Sequence, residues 1–230
     1  EGDIVVHNDP YNGGSHQADV GIIRPMFVDG DLIGYAFNRG HWTDVGSMNP
    51  GGWSGSARDV IQEGLLIPPV KLYKAGVLDR EIRDFILRNV RMAKQCWGDL
   101  QSQIASNIVA ERRIRELVDK YTKATVIQGF NETIDYSKRR FSSMLSRLPD
   151  GKWYGEEVFE DDGHGGGPHF IRVSVSKRGD KIRVDFSDTA KQVRGPVNCC
   201  YALTKAAAYT AIVSAVDPEV PFNSGILELI

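Results

Sequence analysis

Residues 6–21 read Val6-His7-Asn8-Asp9-Pro10-Tyr11-Asn12-Gly13-Gly14-Ser15-His16-Gln17-Ala18-Asp19-Val20-Gly21. The apolar run Ile4-Val5-Val6 feeds this stretch as a β-strand, and Gly21-Ile22-Ile23 resumes β-like character beyond it. Between the two, Asp9, His16 and Asp19 fall in a loop rich in Gly and Asn, and loops held by a scaffold are where ligands are usually presented. About 20 residues later a second strand runs out in Asn38-Arg39-Gly40-His41-Trp42-Thr43-Asp44-Val45-Gly46. A His and an Asp again leave the end of an apolar run. Two strands ending side by side bring Asp9, His16, Asp19 and His41 together.

Two imidazoles and two carboxylates make a mixed N/O ligand set. It suits Zn, Mn or Fe(II) and is unlike a soft-thiolate site. Such a set can leave a coordination position open for substrate or water, as catalytic sites do. The same residues also have a plainer reading. An Asp before a Pro in a Gly-rich turn often only caps backbone amides, and His41 beside Trp42 can be a satisfied buried histidine. No motif with fixed short ligand spacing, such as HExxH, occurs.

Working outward, residues 1–80 carry six basic and ten acidic residues, and β-like runs alternate with turn clusters. Asp29-Gly30-Asp31 reads as a hairpin turn before the run Asp31–Phe37. Residues 81–148 contain no Pro and hold thirteen basic against eight acidic residues. Leu100, Ile104, Ile114, Leu117, Val118 and Tyr121 recur at helical spacing. So do Ile127, Phe130, Ile134, Phe141, Met144, Leu145 and Leu148. Two long helices are expected, with a shorter one over 79–94 that turns Ile82, Phe85, Ile86 and Val90 inward. The basic excess reads as a solvated helix face. Residues 149–230 open on the turn Pro149-Asp150-Gly151. Strands with Ile171, Val173 and Val175, then Ile182, Val184 and Phe186, are joined by the hairpin Lys177-Arg178-Gly179-Asp180. An Ala-rich helix over roughly 198–215 ends before Asp217-Pro218.

Three other features bear on chemistry. Asp161-Asp162-Gly163-His164-Gly165-Gly166-Gly167-Pro168-His169 lacks the strand–loop–helix context and the Lys-Ser/Thr of a phosphate-binding loop, and reads as a connection between strands. Gln62-Glu63-Gly64-Leu65-Leu66-Ile67-Pro68-Pro69-Val70-Lys71-Leu72 places a polar head on an extended apolar segment. Glu63 there is a candidate base, or a carboxylate orienting a ligand imidazole from behind, against the plainer reading of a turn carboxylate. Cys199 and Cys200, among small apolar neighbours, read as core thiols rather than nucleophiles.

The whole chain has 230 residues, 41% hydrophobic and 25% charged, which are globular proportions. A chain of this length buries roughly 70% of its extended surface and needs no disulfide staples. A net charge of −2 excludes a dominant polyanion-binding or membrane-surface field. No apolar run approaches the roughly 20 residues of a membrane helix, and no signal peptide is visible. Three cysteines, Cys96, Cys199 and Cys200, form no disulfide framework, so a reducing cytoplasm is expected. The chain enters on a β-like run and stops on Leu227-Glu228-Leu229-Ile230. Natural termini are usually polar and frayed, so an internal piece of a longer subunit is expected.

Taken in order, HNDPYNGGSHQADVG (7–21), RGHWTDVG (39–46), QEGLLIPPVKLY (62–73), NVR (89–91), GDLQSQIASN (98–107), ERR (111–113) and QVRGPVN (192–198) resemble the hydantoinase B family. That family includes B-type subunits of ATP-dependent hydantoinases, the C-terminal half of 5-oxoprolinase, and subunits of acetone and acetophenone carboxylases. The resemblance runs almost end to end. It implies an A-type partner that uses ATP to phosphorylate a substrate, while the B-type subunit completes ring opening or carboxylation. In the carboxylase branch the subunit holds a divalent metal through Asp and His. Those ligands match Asp9, His16, Asp19 and His41. The chain departs from many relatives at GHGGGPH and at Trp42, where a second His is common, which leaves the substrate open.

The reading is therefore an α+β catalytic subunit, or a piece of one. It has a β-rich segment 1–80 with metal-site loops, a helical segment 81–148, and a C-terminal segment 149–230 of strands plus helix. The expected chemistry is hydrolysis of a cyclic amide activated by phosphorylation on a partner, with a divalent metal (Zn, Mn or Fe) on Asp9, His16, Asp19 and His41. Metal-bound His usually donates its other N–H to an acceptor, so Glu63 or Asp44 is expected to orient a ligand imidazole. The partners expected are the ATP-using A-type subunit, in a hetero-oligomer, and a small-molecule substrate. No nucleic acid, membrane, or nucleotide site on this chain is expected. Ketone carboxylation is the near alternative. A non-catalytic assembly subunit with a structural metal clip is the distant one.

Overall fold

A computed structural model describes residues 1–230, which form a mixed α+β fold divided into two compact units. The first unit comprises Glu1–Val126 with Cys200–Ala202, and the second comprises Ile127–Cys199 with Leu203–Ile230. The compositional steps at 80 and 148 fall elsewhere, at the start of the first helix and just past the end of the third.

The first unit is built on an antiparallel sheet in the order β3-β2-β1-β4-β5. Its strands are β1 (Ile4–His7), β2 (Asp19–Val28), β3 (Asp31–His41), β4 (Val70–Lys74) and β5 (Val77–Leu78). The turn between β2 and β3 is the one the sequence marks: Asp29 (φ 53°) and Gly30 (φ 81°) are both left-handed, as a tight hairpin turn requires. Alternation sorts the faces of β2. Val20 and Ile22 are fully buried, while Asp19, Gly21 and Ile23 point to the other side.

Helix α1 (Arg80–Arg88) is capped by Asp79, whose carboxylate accepts from the amides of Glu81 and Ile82. The helix expected over 79–94 is thus shorter, because Asn89 closes it. Ile82, Ile86 and Val90 face the core as expected, but Phe85 is 60% exposed. Phe85 lies a step of about 100° round the helix from Ile86, off the buried stripe. Helix α2 (Ala93–Tyr121) follows, and Cys96, Leu100 and Ile104 bury against the sheet.

Helix α2 runs along β2 in a matched repeat. Gln103 Nε2 donates to the Val20 carbonyl at 2.8 Å, Asn107 Nδ2 donates to the Ile22 carbonyl at 3.0 Å, and Glu111 accepts from Arg24 Nε at 2.7 Å. Four helical residues rise about 6 Å and two strand residues about 6.6 Å, so each step along one element meets a step along the other. Gln103 Oε1 also accepts from the Trp42 indole at 3.1 Å, and Asn38 bridges to Asn107 at 2.8 Å. Beyond Glu111 the helix outruns these contacts, which is why Leu117 and Tyr121, expected on its inner face, are exposed.

The second unit packs most of α3 (Lys123–Leu145), α4 (Tyr201–Val216) and the short α5 (Ser224–Leu227) with a sheet of order β6-β7-β8. Its strands are β6 (Gly151–Phe159), β7 (His169–Arg178) and β8 (Lys181–Asp185). Its core is Phe141, Leu145, Ile182, Val213, Ile226 and Leu229. Ile127, Phe130 and Leu148, expected with Phe141 on one helical face, are exposed. Arg140 clamps Asp217 through Nε at 2.6 Å and Nη2 at 2.8 Å. The hairpin expected over 177–180 turns at Gly179-Asp180 between β7 and β8, and the connection expected over 161–169 joins β6 to β7. The core-thiol reading of Cys199 is corrected: α4 starts only at Tyr201, so Cys199 precedes the helix and is exposed, while Cys200 is half-buried.

Candidate metal centre

The loop after β1 is shaped by its own polar side chains. Asp9 caps a single 3-10 turn, Pro10–Asn12, by accepting from the Tyr11 amide at 2.8 Å, and its second oxygen takes the Asn12 side-chain amide. The backbone then closes on itself, with the Gly14 amide on the Asp9 carbonyl at 2.9 Å. A Cβ on Gly14 would lie 2.6 Å from that carbonyl oxygen, so only glycine fits. Buried Asn8 ties the loop to the segment before β4. Its amide donates to the carbonyls of Gln17 at 2.7 Å and Leu65 at 2.8 Å, and its oxygen accepts from the Ile67 amide at 2.6 Å. Gln17 Nε2 donates to Val60 at 2.7 Å, which brings the 3-10 turn Val60–Glu63 alongside.

This packing returns the chain to β2 with Asp19 as its first residue, directly opposite His41, the last residue of β3. His41 Nδ1 lies 2.9 Å from Asp19 Oδ1, and His16 Nε2 lies 3.3 Å from Asp19 Oδ2. The two imidazole centroids are 5.0 Å apart, and the three ligand atoms all fall within 4.8 Å of one another. Adjacent ligands held about 2.1 Å from one ion sit roughly 3.0–3.4 Å apart; the His16–Asp19 separation falls in that range, and the His41–Asp19 pair, at hydrogen-bond distance, would open slightly to admit a divalent cation. Burial alone would raise the Asp19 pKa. The Ser15 hydroxyl, the His41 hydrogen bond and the nearby His16 outweigh it and hold the carboxyl below its ordinary value. Asp19 therefore offers a charged oxygen, with two imidazole nitrogens beside it.

Of the residues singled out in the sequence, His16, Asp19 and His41 converge. Asp9 does not join them: both of its oxygens are spent on the turn, and it lies outside the three-residue cluster. Asp44 is 3% exposed and accepts from the Gly46 amide at 2.8 Å, the Arg91 amide at 3.2 Å and Arg91 Nη1 at 2.9 Å. Burial works against its charge, but these donors prevail and its pKa is lowered. Its partners belong to the 44–51 loop and Arg91, so it braces that loop rather than an imidazole. Glu63 is half-buried at the end of its 3-10 turn. Burial raises its pKa, Asp59 adds to the rise, and His16 opposes it, which places Glu63 within electrostatic reach of the cluster.

The structure adds three residues that the sequence reading passed over. Ser15 donates to Asp19, and Arg39 reaches the same loop through Ser15 Oγ at 3.3 Å and the Gly13 carbonyl at 2.9 Å. His7 is 5% exposed, one strand over, opposite Gly21, and burial together with Arg39 lowers its pKa. The signal for Arg39 and His7 was strand parity: both lie on the face of Asp19 and His41, Arg39 two residues before His41 on β3 and His7 across from Gly21, two residues after Asp19 on β2.

Fold and cluster together define an α+β protein that carries an imidazole–carboxylate centre at the end of an antiparallel ribbon. The chain belongs to the hydantoinase B/oxoprolinase family, whose model matches residues 1–230. It is 33% identical to an uncharacterised protein of Methanocaldococcus jannaschii, over 99% of this chain and 40% of that one. It is also 33% identical to the caprolactamase subunit beta of Pseudomonas jessenii, over 98% of this chain and 39% of the relative. The crystal structure of ATP-dependent caprolactamase from the same organism superposes with a TM-score of 0.93 at 32% identity, over 100% of this chain and 39% of that one. Acetone carboxylase shares the fold, with a TM-score of 0.89 at 18% identity over 98% of this chain and 32% of its own. The chain thus spans about two-fifths of the length of these two relatives.

Proposed function

We propose that this chain is part of the catalytic subunit of an ATP-dependent cyclic-amide hydrolase, and that His16, Asp19 and His41 hold a divalent metal there. One observation carries the reading. His16 in the loop and Asp19 at the start of β2, 25 and 22 positions before His41 at the end of β3, meet it as an N, N, O donor set. A bound Zn, Mn or Fe(II) would supply Lewis-acid polarisation of a carbonyl or activation of a water.

The chain's own residues do the rest. Asp19 keeps its charge and draws both imidazoles to one point. Glu63, half-buried and near enough for the His16 charge to act on it, is assigned to take a proton from an attacking water. Phosphorylation of the substrate is assigned to an ATP-using partner. The likeness to a caprolactamase subunit supports a partnered assembly, and the Gly-rich loop 161–169 joins two antiparallel strands rather than opening a helix as phosphate loops do.

The test uses the complete protein with its ATP-using partner and a panel of lactams and imides, following ADP release and the open-chain acid. His16→Ala and His41→Ala should each lose most of the bound metal and at least about 100-fold of the turnover, the upper range for disturbing a metal site. Full turnover in both variants would refute the site. Bicarbonate-dependent consumption of a ketone in place of lactam opening would refute the reaction class.

A further inference from the structure

We infer that Ser15 and Arg39 are positioning residues that lock the Asp19 carboxylate for a divalent cation, an inference that rests on the metal reading above. The direction of the hydrogen bonds is forced. Arg39 has only donors, so at 3.3 Å from Arg39 Nη1 the Ser15 oxygen accepts, and its single proton is left for Asp19 Oδ2. Asp19 then presents Oδ1 toward His41 and shares Oδ2 between Ser15 and His16. A carboxylate tethered at one oxygen cannot swing about its last torsion, so the remaining lone pairs stay aimed between the imidazoles.

Arg39 is itself held on three sides. Nη2 donates to the Gly13 carbonyl at 2.9 Å, the guanidinium sits 5.4 Å from the Phe37 ring centroid, and the Arg39 backbone pairs with Gly21. That pair is two rungs from Asp19 and His41 on the same ladder. The loop 13–15 and the strand ends are therefore stapled by one planar fork, a geometry that a lysine cannot reproduce. Nothing in the turn requires Ser15 to donate outward: the Asp9 cap and the Gly14 amide close that turn without it.

The experiment is a competition titration of the full chain with Zn²⁺ against a chromophoric chelator, together with the absorption spectrum of the Co²⁺ form and melting of the metal-free protein. Ser15→Ala should raise the dissociation constant by about 10–100-fold, the usual effect of removing a partner of a ligand, and alter the Co²⁺ bands, with metal-free melting close to wild type. Ser15→Thr, which keeps the hydroxyl, should restore both. Arg39→Gln should weaken binding in the same sense, and provides a second variant should Ser15→Ala misfold. In an Asp19→Ala background Ser15→Ala should add nothing, because it acts through Asp19. Wild-type affinity and spectrum in both Ser15→Ala and Arg39→Gln, or an additive effect in the Asp19→Ala background, would overturn the inference while leaving the metal reading intact. A wild-type chain that binds neither Zn²⁺ nor Co²⁺ would overturn both.

Discussion

Asp9 and Asp19 carry the same group in the same loop and do different work. Asp9 spends both oxygens on the turn that follows it, whereas Asp19 spends its oxygens on the two imidazoles and a serine. Asp9→Ala should therefore cost about 0.5–2 kcal/mol, the scale of a lost cap, and leave metal binding in place. Asp19→Asn should leave metal-free melting nearly unchanged and weaken metal binding far more than it weakens the fold, and paired melting and titration separate the two. The sequence could not tell these residues apart, because an Asp before Pro signals a cap as readily as an Asp in a Gly-rich loop signals a ligand. Glu63 gives a pH signature. Its folded pKa is raised, so the stability it lends is complete below the carboxyl's unfolded value and is lost as pH rises through the folded one. Glu63→Gln, permanently neutral, should melt above wild type near neutral pH in metal-free protein and lose that advantage by about pH 4.

At the scale of elements, the site depends on how α2 lies along β2. Gln103 answers three groups at once: the Val20 carbonyl, the Asn38 side chain and the Trp42 indole. Gln103→Leu removes all three of these side-chain bonds and should cost about 1–3 kcal/mol in denaturant unfolding, with metal affinity falling as the β2 and β3 ends loosen. The two hairpin turns were legible because left-handed Asp-Gly and Gly residues have few other uses. The break between α1 and α2 was expected only after residue 94 rather than at Asn89, since Ile82, Ile86 and Val90 continue a helical stripe through residues whose backbone does not. The role of Gln103 and Asn107 was likewise hidden. A polar pair four residues apart on a helix ordinarily signals an exposed face, and only the opposing strand shows which carbonyls it answers.

At the scale of the molecule, the α+β class and the order of its segments could be read from changes in hydrophobic period, whereas the division inside α3 could not, because one uninterrupted helix serves both units. No helix is long and apolar enough to cross a membrane, as the composition anticipated. The chain spans about two-fifths of the length of these relatives and holds the His16, Asp19 and His41 cluster. Alone it should hydrolyse no ATP, and substrate-dependent ATP turnover should appear only on mixing with the ATP-using partner, as a coupled ADP assay would record. ATP hydrolysis by this chain alone would dismantle the division of labour.

His41 stands on β3, the border strand of its sheet, and its ring is 63% exposed, with His16 at 45%. Solvent reaches two of the three donors without any rearrangement of the fold. A competing ligand can therefore approach an ion held there directly. A strong chelator should strip it in one fast phase at a rate that rises with chelator concentration, because the incoming ligand can attack the ion before the protein lets go.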